Sequence, residues 1–474
     1  MKFKFERLGL LDYAEIELAD LTLICGENNT GKTYATYAIY GFLRSWRQIL
    51  HVVLESEIDD LLKENEKYQF NLEVMFSEKK LESYFSKMGE IYVAGLHRAF
   101  ATDEALFNET KCRISLTQSF DLLSVEYQRQ VKAGSSGKVI ATITKEAESP
   151  ILEVLVADAE SLQRRFGGLS DFIVDAIADI VFSPYLPGFH ISSAERTGSA
   201  IFRKELDIAR TRMLNALHQM DSKELRRNPF LLFKEMDTGY PWPVEDNVDF
   251  VRQLEELDKR TGELARTHPE ILKAFDDMLG GSYKVIKEQL VFQNKGADKR
   301  RFSMNESSSC IRALLDVSFY LRCKARAGEF FIIDEPELNL HPKNQRAFAR
   351  IVARLVNAGV KVFITTHSDY LIKEINTLIM LNQKTMHSKK VQKDYKYEDD
   401  ELLDSEKIRL YITDRVLREN PAGGRRIRVR TLTAANIYPD RGIEVPTFDE
   451  TIELMNEIQG EILYGGEFSF GDEF

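Results

Sequence analysis

The chain has 474 residues, more than one hydrophobic core ordinarily organises, so a main domain with an accessory lobe is expected. Its formal net charge of −11 argues against a protein that coats nucleic acid along its whole surface. No apolar run approaches the roughly 18 residues of a membrane span, residues 1–6 alternate as a strand rather than a signal peptide, and Cys25, Cys112, Cys310 and Cys323 lack Cys-x-x-Cys spacing. The expectation is a soluble, cytoplasmic chain with neither a zinc site nor a disulfide framework.

Residues 1–24 read as two or three strands. The apolar run Leu21-Thr22-Leu23-Ile24-Cys25 then leads into Gly26-Glu27-Asn28-Asn29-Thr30-Gly31-Lys32-Thr33, which has the spacing G-x-x-x-x-G-K-[ST]. Glycines let backbone N–H groups wrap a polyphosphate, a helix N-terminus adds partial positive charge, and Lys32 reaches the terminal phosphates. The Thr33 hydroxyl suits Mg²⁺, and Tyr34, the next residue, is counted with the nucleotide-binding set. Residues 34–62 are mostly helical, with Leu43 and Trp46 one turn apart on an inward face. From 68 to 144 the pattern alternates with period two, interrupted by the turn Gly134-Ser135-Ser136-Gly137, and 152–180 returns to helix.

Residues 205–280 are polar and helix-periodic, with a break at Tyr240-Pro241-Trp242-Pro243. They read as a helical insertion projecting from the head. As one helix, 248–279 would reach about 48 Å at roughly 1.5 Å per residue. After a strand at 283–293, Asn305-Glu306-Ser307-Ser308-Ser309-Cys310 precedes a helical run at 311–322. Hydroxyls and free N–H groups at a helix start suit an anion; the alternative is a serine-rich cap with no ligand.

Phe330-Phe331-Ile332-Ile333-Asp334-Glu335-Pro336-Glu337 is an apolar strand ending in adjacent carboxylates. In a nucleotidase the first carboxylate organises Mg²⁺ and the next polarises the attacking water. Val362-Phe363-Ile364-Thr365-Thr366-His367-Ser368 is a further apolar strand, delivering His367 at its carboxyl end. In open α/β sheets ligands bind beyond those ends, so Lys32, Asp334, Glu335 and His367 are expected at one edge. Beyond a helix at 370–380 lie a charged linker at 389–401, strands near 407–413 and 425–432, and a helix at 448–463. The chain finishes in an aromatic-spaced tail at 465–474 that reads as disorder or a docking segment. The basic clusters at Arg203-Lys204, Arg210 and Arg212, at 299–301 and at 425–430 are either solvated faces or a local nucleic-acid or partner surface.

In order and wording these motifs resemble the ABC-type ATPase heads shared by the SMC, RecF and OLD proteins. The Walker A motif is 26–33, Walker B with its glutamate 330–335, the D-loop Leu338-Asn339-Leu340-His341-Pro342 and the switch histidine His367. The phrases at 334–342 and 365–371, and His190-Ile191-Ser192-Ser193-Ala194-Glu195-Arg196-Thr197-Gly198, look most like the OLD-like ATPases of prokaryotic antiphage systems, of the PtuA/AriA type without a Toprim domain. Ser193 stands where proline is usual there, and Ser307, Ser308 and Ser309 match the ABC signature without its glycine.

The resemblance implies an α/β fold: an ABC-type P-loop ATPase head with a mixed sheet, an antiparallel β lobe and a short helical insertion. The expected domains are 1–204, 205–280, 281–380 and a C-terminal accessory region at 381–474. It implies ATP and Mg²⁺ as cofactors, with Thr33 and Asp334 on the metal, Glu335 on water, His367 on the γ-phosphate and Ser307–Ser309 arriving from a second protomer. Implied partners are a second copy and a separately encoded effector, a Toprim-like or HNH nuclease, with DNA or a phage protein as trigger and no membrane. The glutamate and Asp-x-Asp pattern of a Toprim nuclease is not recognisable, so the chain itself is read as no nuclease. Competing uses are DNA repair acting directly on DNA, and a nucleotide-locked scaffold with little turnover.

Overall fold

The computed structural model describes residues 1–64, 68–117, 121–132, 138–166, 168–202, 239–287, 289–297, 299–418 and 426–444, with short pieces at 455 and 457–459. The clusters at 203–212, the turn at 134–137, and the helix and tail expected beyond 445 lie wholly or largely outside these residues.

The fold centres on a nine-stranded mixed sheet. Its strands in chain order are β1 (Lys2–Leu8), β2 (Leu11–Glu17), β3 (Leu21–Cys25), β4 (Lys111–Ser115), β5 (Phe189–Ser192), β6 (Phe330–Asp334), β7 (Lys361–Thr366), β8 (Ile408–Arg418) and β9 (Ile427–Ala434). They lie side by side as β4-β1-β2-β9-β8-β3-β7-β6-β5. Five neighbours, β8-β3-β7-β6-β5, run parallel. Strands buried on both faces need uninterrupted apolar sequence, and every residue of β3 and of β6 is buried.

Each face carries its own core. On one side the 33-residue helix Lys32–Glu64 buries Tyr40, Phe42, Leu43, Trp46, Leu50 and Leu54. A four-stranded antiparallel sheet (Gln69–Asn71, Ile151–Val156, Val139–Lys145, Tyr127–Lys132) contributes to the same core. On the other side Leu21 and Leu23 of β3 meet the helices Leu315–Cys323, Pro342–Asn357 and Asp369–Leu381. The α/β head with its mixed sheet and antiparallel sheets is therefore present.

Several elements differ from the sequence reading. Around Cys112 the alternating segment pairs with β1 in the main sheet rather than with the lobe. Residues 151–156, expected as helix, form a strand; alternate buried and exposed positions from Leu152 to Leu155 explain it. Among the described residues of 205–280, read as a projecting helical insertion, there are four short helices (Trp242–Arg252, Leu254–Leu257, Glu263–Thr267, Pro269–Leu279). Phe250, Val251, Leu254, Leu264, Ile271 and Phe275 bury into the core beneath β3, which holds this part against the head. Last, β8 and β9, read as accessory, pair within the head sheet: β8 lies parallel to β3 with Leu410 opposite Leu23.

Leu410 and Leu23 are both buried. If β8 is structural to the head, Leu410→Ala and Leu23→Ala should each cost about 2–5 kcal/mol and displace the same urea transition. A separate, earlier transition confined to Leu410→Ala would contradict a shared core.

Candidate functional site

The carboxyl ends of β3, β7 and β6 are level, and β8 runs alongside and past them. Cys25 pairs with Thr366 and with Ile412, and Thr365 pairs with Asp334. The loop leaving β3 wraps at this edge. Gly26 and Gly31 take φ of +140° and +106°, left-handed conformations that glycine adopts at little cost. Space is as tight as conformation: a Cβ on Gly26 would lie 1.9 Å from Thr413 Oγ1. The Lys32 ammonium donates to the carbonyls of Gly26 (2.9 Å) and Glu27 (2.7 Å), and Thr30 Oγ1 donates to Glu27 O. Burial lowers the Lys32 pKa, while Glu335, Asp334 and Glu337 oppose that shift. Asn28, Asn29 and Thr33 are exposed. Tyr34 is turned to packing: its ring stacks on Phe100 at 5.4 Å, close over Gly9.

Asp334 ends β6 at 1% exposure. One carboxylate oxygen accepts from the Thr365 hydroxyl; the other, Oδ2, is buried with no hydrogen-bond partner. Burial pushes its pKa up to about 6. A buried carboxylate oxygen left open, with the exposed Thr33 in the first turn of the helix that follows the loop, fits the small oxygen donor set that Mg²⁺ takes beside phosphates and water. Among the described residues there is no cluster of three or more metal-ligating side chains; Mg²⁺ bound through one or two carboxylates plus phosphates does not require one.

Glu335 has φ +49°, a rarely populated conformation for a residue with a side chain. Its backbone is held from both ends: its N–H donates to Thr365 O (3.0 Å), and its carbonyl accepts from Arg196 Nη2 (2.7 Å). Glu337, missed as a site residue by the sequence reading, is buried and accepts from the Thr366 hydroxyl (2.8 Å) and the His367 N–H (2.7 Å). His367 Nδ1 lies 3.2 Å from Glu337 Oε1 and 3.5 Å from Glu335 Oε1, with the ring partly exposed. Ser368 then caps the helix Asp369–Leu381 through Leu371 N. Thus Lys32, Asp334, Glu335 and His367 share one edge.

Ser307, Ser308 and Ser309 lie at the start of the helix Ser309–Ala313. Ser307 Oγ donates to Ser303 O (2.8 Å), Ser308 caps the helix Ser309–Ala313, and Ser308 and Ser309 are exposed. A cavity of about 550 Å³ beside the phosphate loop is lined by Gly26, Glu27, Asn29, Thr30, His367 and Asp369 together with β8 and β9 residues.

Arg196 lies within a stretch the sequence reading singled out, but its task there was invisible. It is 1% exposed, with Nε on Ala313 O (2.8 Å), Nη1 on Ser193 O (2.9 Å) and Asp334 O (2.6 Å), and Nη2 on Glu335 O. Burial lowers its pKa, and Asp316, Asp334, Glu337 and Glu335 counter that. No local pattern announces such a residue, because all but one of its partners are backbone carbonyls of two distant segments, at 313 and at 334–335.

The raised Asp334 pKa has a definite sign. Between about 3.8 and about 6 the folded chain binds a proton that the unfolded chain releases, so stability is lost as pH rises through that window. At about 1.4 kcal/mol per pH unit, the charged form costs roughly 3 kcal/mol at pH 7.5 but only about 1 kcal/mol at pH 4.5. The stability of Asp334→Asn relative to the wild type should therefore be about 2 kcal/mol more favourable at pH 7.5 than at pH 4.5, read by urea denaturation at both. A pH-independent difference would place Asp334 in an ordinary solvated environment.

A family model described as "AAA ATPase domain" matches residues 2–157 and 186–372, well over half of the chain. No curated protein matches it. Among solved structures, the Smc head domain with an extended coiled coil bound to the C-terminal domain of ScpA, from Pyrococcus furiosus, is similar at 13% identity and a TM-score of 0.31, covering 97% of this chain and 98% of that one. The SmcHead bound to the C-winged helix domain of ScpA gives 12% identity, a TM-score of 0.31 and coverage of 90% and 97%. The SMC head domain from Thermotoga maritima gives 11%, 0.26, and 79% and 90%. Among the described residues no helix is long and apolar enough to cross a membrane. On the family match, with the phosphate loop and the acidic strand end both inside the matched segments, the chain belongs to the AAA ATPase domain family.

Proposed function

We propose that the chain hydrolyses ATP with Mg²⁺ at sites completed by a second copy, and that the nucleotide state controls a separately encoded toxic effector, a nuclease, in antiphage defence. One observation supports the composite-site reading: Lys32, Asp334, Glu335 and His367 gather at one sheet edge, while Ser308 and Ser309 are exposed at the start of a separate helix, open to a second chain. The effector and defence parts rest on the resemblance of the 190–198, 334–342 and 365–371 phrases, the short helical insertion and the lack of a recognisable Toprim pattern.

In this reading the 26–33 backbone and Lys32 hold the phosphates, while Thr33 and Asp334 hold Mg²⁺, whose charge offsets that of the phosphates. Glu335, fixed at both backbone ends, accepts a proton from water at its Oε1. His367 stands beside it, oriented by Glu337, and contacts the terminal phosphate. A partner that binds the closed state preferentially is linked to nucleotide occupancy by the same free energy in both directions.

Glu335→Gln should lower phosphate release by about 10²–10⁴-fold, retain ATP and shift the chain to a larger species in light scattering. A mixing experiment tests the shared site. Lys32→Ala and Ser309→Glu chains, each inactive alone, should recover part of the activity when combined, because one of the two sites in the mixed dimer is intact. No recovery would favour a site complete within one chain. Co-expression with its native gene neighbours tests the effector: a stoichiometric nuclease released from Lys32→Ala supports it, and abundant DNA with no protein partner would move the chain to direct DNA repair. Tight ATP binding with negligible release in the wild type would indicate a locked scaffold.

A further inference from the structure

The β8–β9 hairpin was no part of the nucleotide site in the sequence reading, yet it forms one wall of the loop cavity. Ile412 lies opposite Cys25, so residues 413–415 extend beyond β3 beside the phosphate loop. Thr413 is the residue against which a Gly26 Cβ would collide, and its Oγ1 is buried with no hydrogen-bond partner. Next along the strand is an arrangement that folding alone does not favour. Arg415 and Arg430 are directly opposed in the β8–β9 ladder, and both line the cavity. Opposed like charges destabilise a ladder.

Neither arginine is directly paired with a carboxylate. Among the described residues neither guanidinium has a hydrogen-bond or ion-pair partner. The nearby carboxylates are engaged on backbone: Asp414 Oδ1 accepts from Arg415 N (2.6 Å) and Asp12 Oδ2 from Arg430 N (2.7 Å). Glu27 and Asp369 also line the cavity, so the wall is mixed in charge rather than a general basic surface. Such a face suits one compact anion.

We propose that Arg415 and Arg430 form a two-guanidinium phosphate clamp, taking one phosphate of the nucleotide whose other phosphates lie in the 26–33 loop. The proposal rests on the reading of that loop as the ATP site. Planar guanidinium forks match phosphate oxygens with paired hydrogen bonds, and a phosphate between two arginines converts their repulsion into shared attraction. The clamp gives the chain a preference for polyphosphate nucleotides over nucleosides and monophosphates. It also makes β8 and β9 respond to occupancy, since the clamp's two halves come from two strands of one hairpin.

The test measures ATP, ADP and AMP affinities by calorimetry for the wild type, Arg415→Ala/Arg430→Ala, Arg415→Lys/Arg430→Lys and Lys32→Ala. The double alanine variant should lose about tenfold or more in ATP and ADP affinity, with AMP little changed, and its thermal stability without nucleotide should be equal to or above wild type. The lysine pair should recover only part of the loss. Unchanged ATP affinity in the double alanine variant, with Lys32→Ala impaired, would overturn the clamp and leave the loop reading standing. Unchanged affinity in Lys32→Ala would instead remove the loop reading itself. An equal loss for AMP and ATP, or a melting temperature depressed without nucleotide, would assign the arginines to folding.

Discussion

Arg196 is buried within the protein and meets the carbonyls of Ser193, Ala313, Asp334 and Glu335. Those carbonyls belong to the segment after β5, the helix that follows the serines, and the end of β6. One guanidinium therefore fixes the distance between the serine-bearing helix and the residue proposed to act on water. Neutral carbonyls satisfy four of its donations, and the surrounding carboxylates offset the cost of burying its charge. Truncating such a residue typically costs about 3–5 kcal/mol, because the groups it served are left unpaired. Here the carbonyls of Asp334 and Glu335 would be among them.

The next helix is tied in as well. Asp316, on Leu315–Cys323, accepts from the Ser192 hydroxyl at the end of β5 and from Asn247 Nδ2 (2.8 Å) on Trp242–Arg252. Burial raises the Asp316 pKa, with Arg196 pulling the other way. Buried polar contacts thus link the helices Trp242–Arg252 and Leu315–Cys323 to the end of β5. Movement of one part without the others would strand buried polar atoms. That arrangement suits a head that shifts as a block.

How much of this could be read in the sequence follows from how local each signal is. The phosphate loop, the acidic end of β6 and the strand before His367 are contiguous phrases whose chemistry depends on adjacent residues, and each was legible. Glu337 lay inside a legible phrase, but its task, orienting the His367 backbone and Thr366, depends on β6 and β7 being neighbours. Arg415 and Arg430 belong to different strands, and their opposition exists only once the hairpin register is set. The helices at 242–279 misled for another reason. Polar periodicity along 205–280 suggested solvent on all sides, yet Phe250, Leu254, Ile271 and Phe275 are spaced widely enough to bury one face beneath the sheet.

The contact between Cys25 and β8 joins residues 386 apart. At synthesis rates of about 5–20 residues per second, the strand that flanks the phosphate loop emerges roughly 20 to 80 s after the loop itself. During that interval β3, buried along its whole length in the finished fold, has an unpaired apolar edge, a form prone to pairing with other chains. Its thiol, pushed up to about 12 by burial once folded, is open to oxidation in the nascent chain. The wall that β8 gives the proposed nucleotide site is thus made long after the loop it flanks, and growing polypeptides pass through a period in which they are vulnerable to aggregation while that site is incomplete.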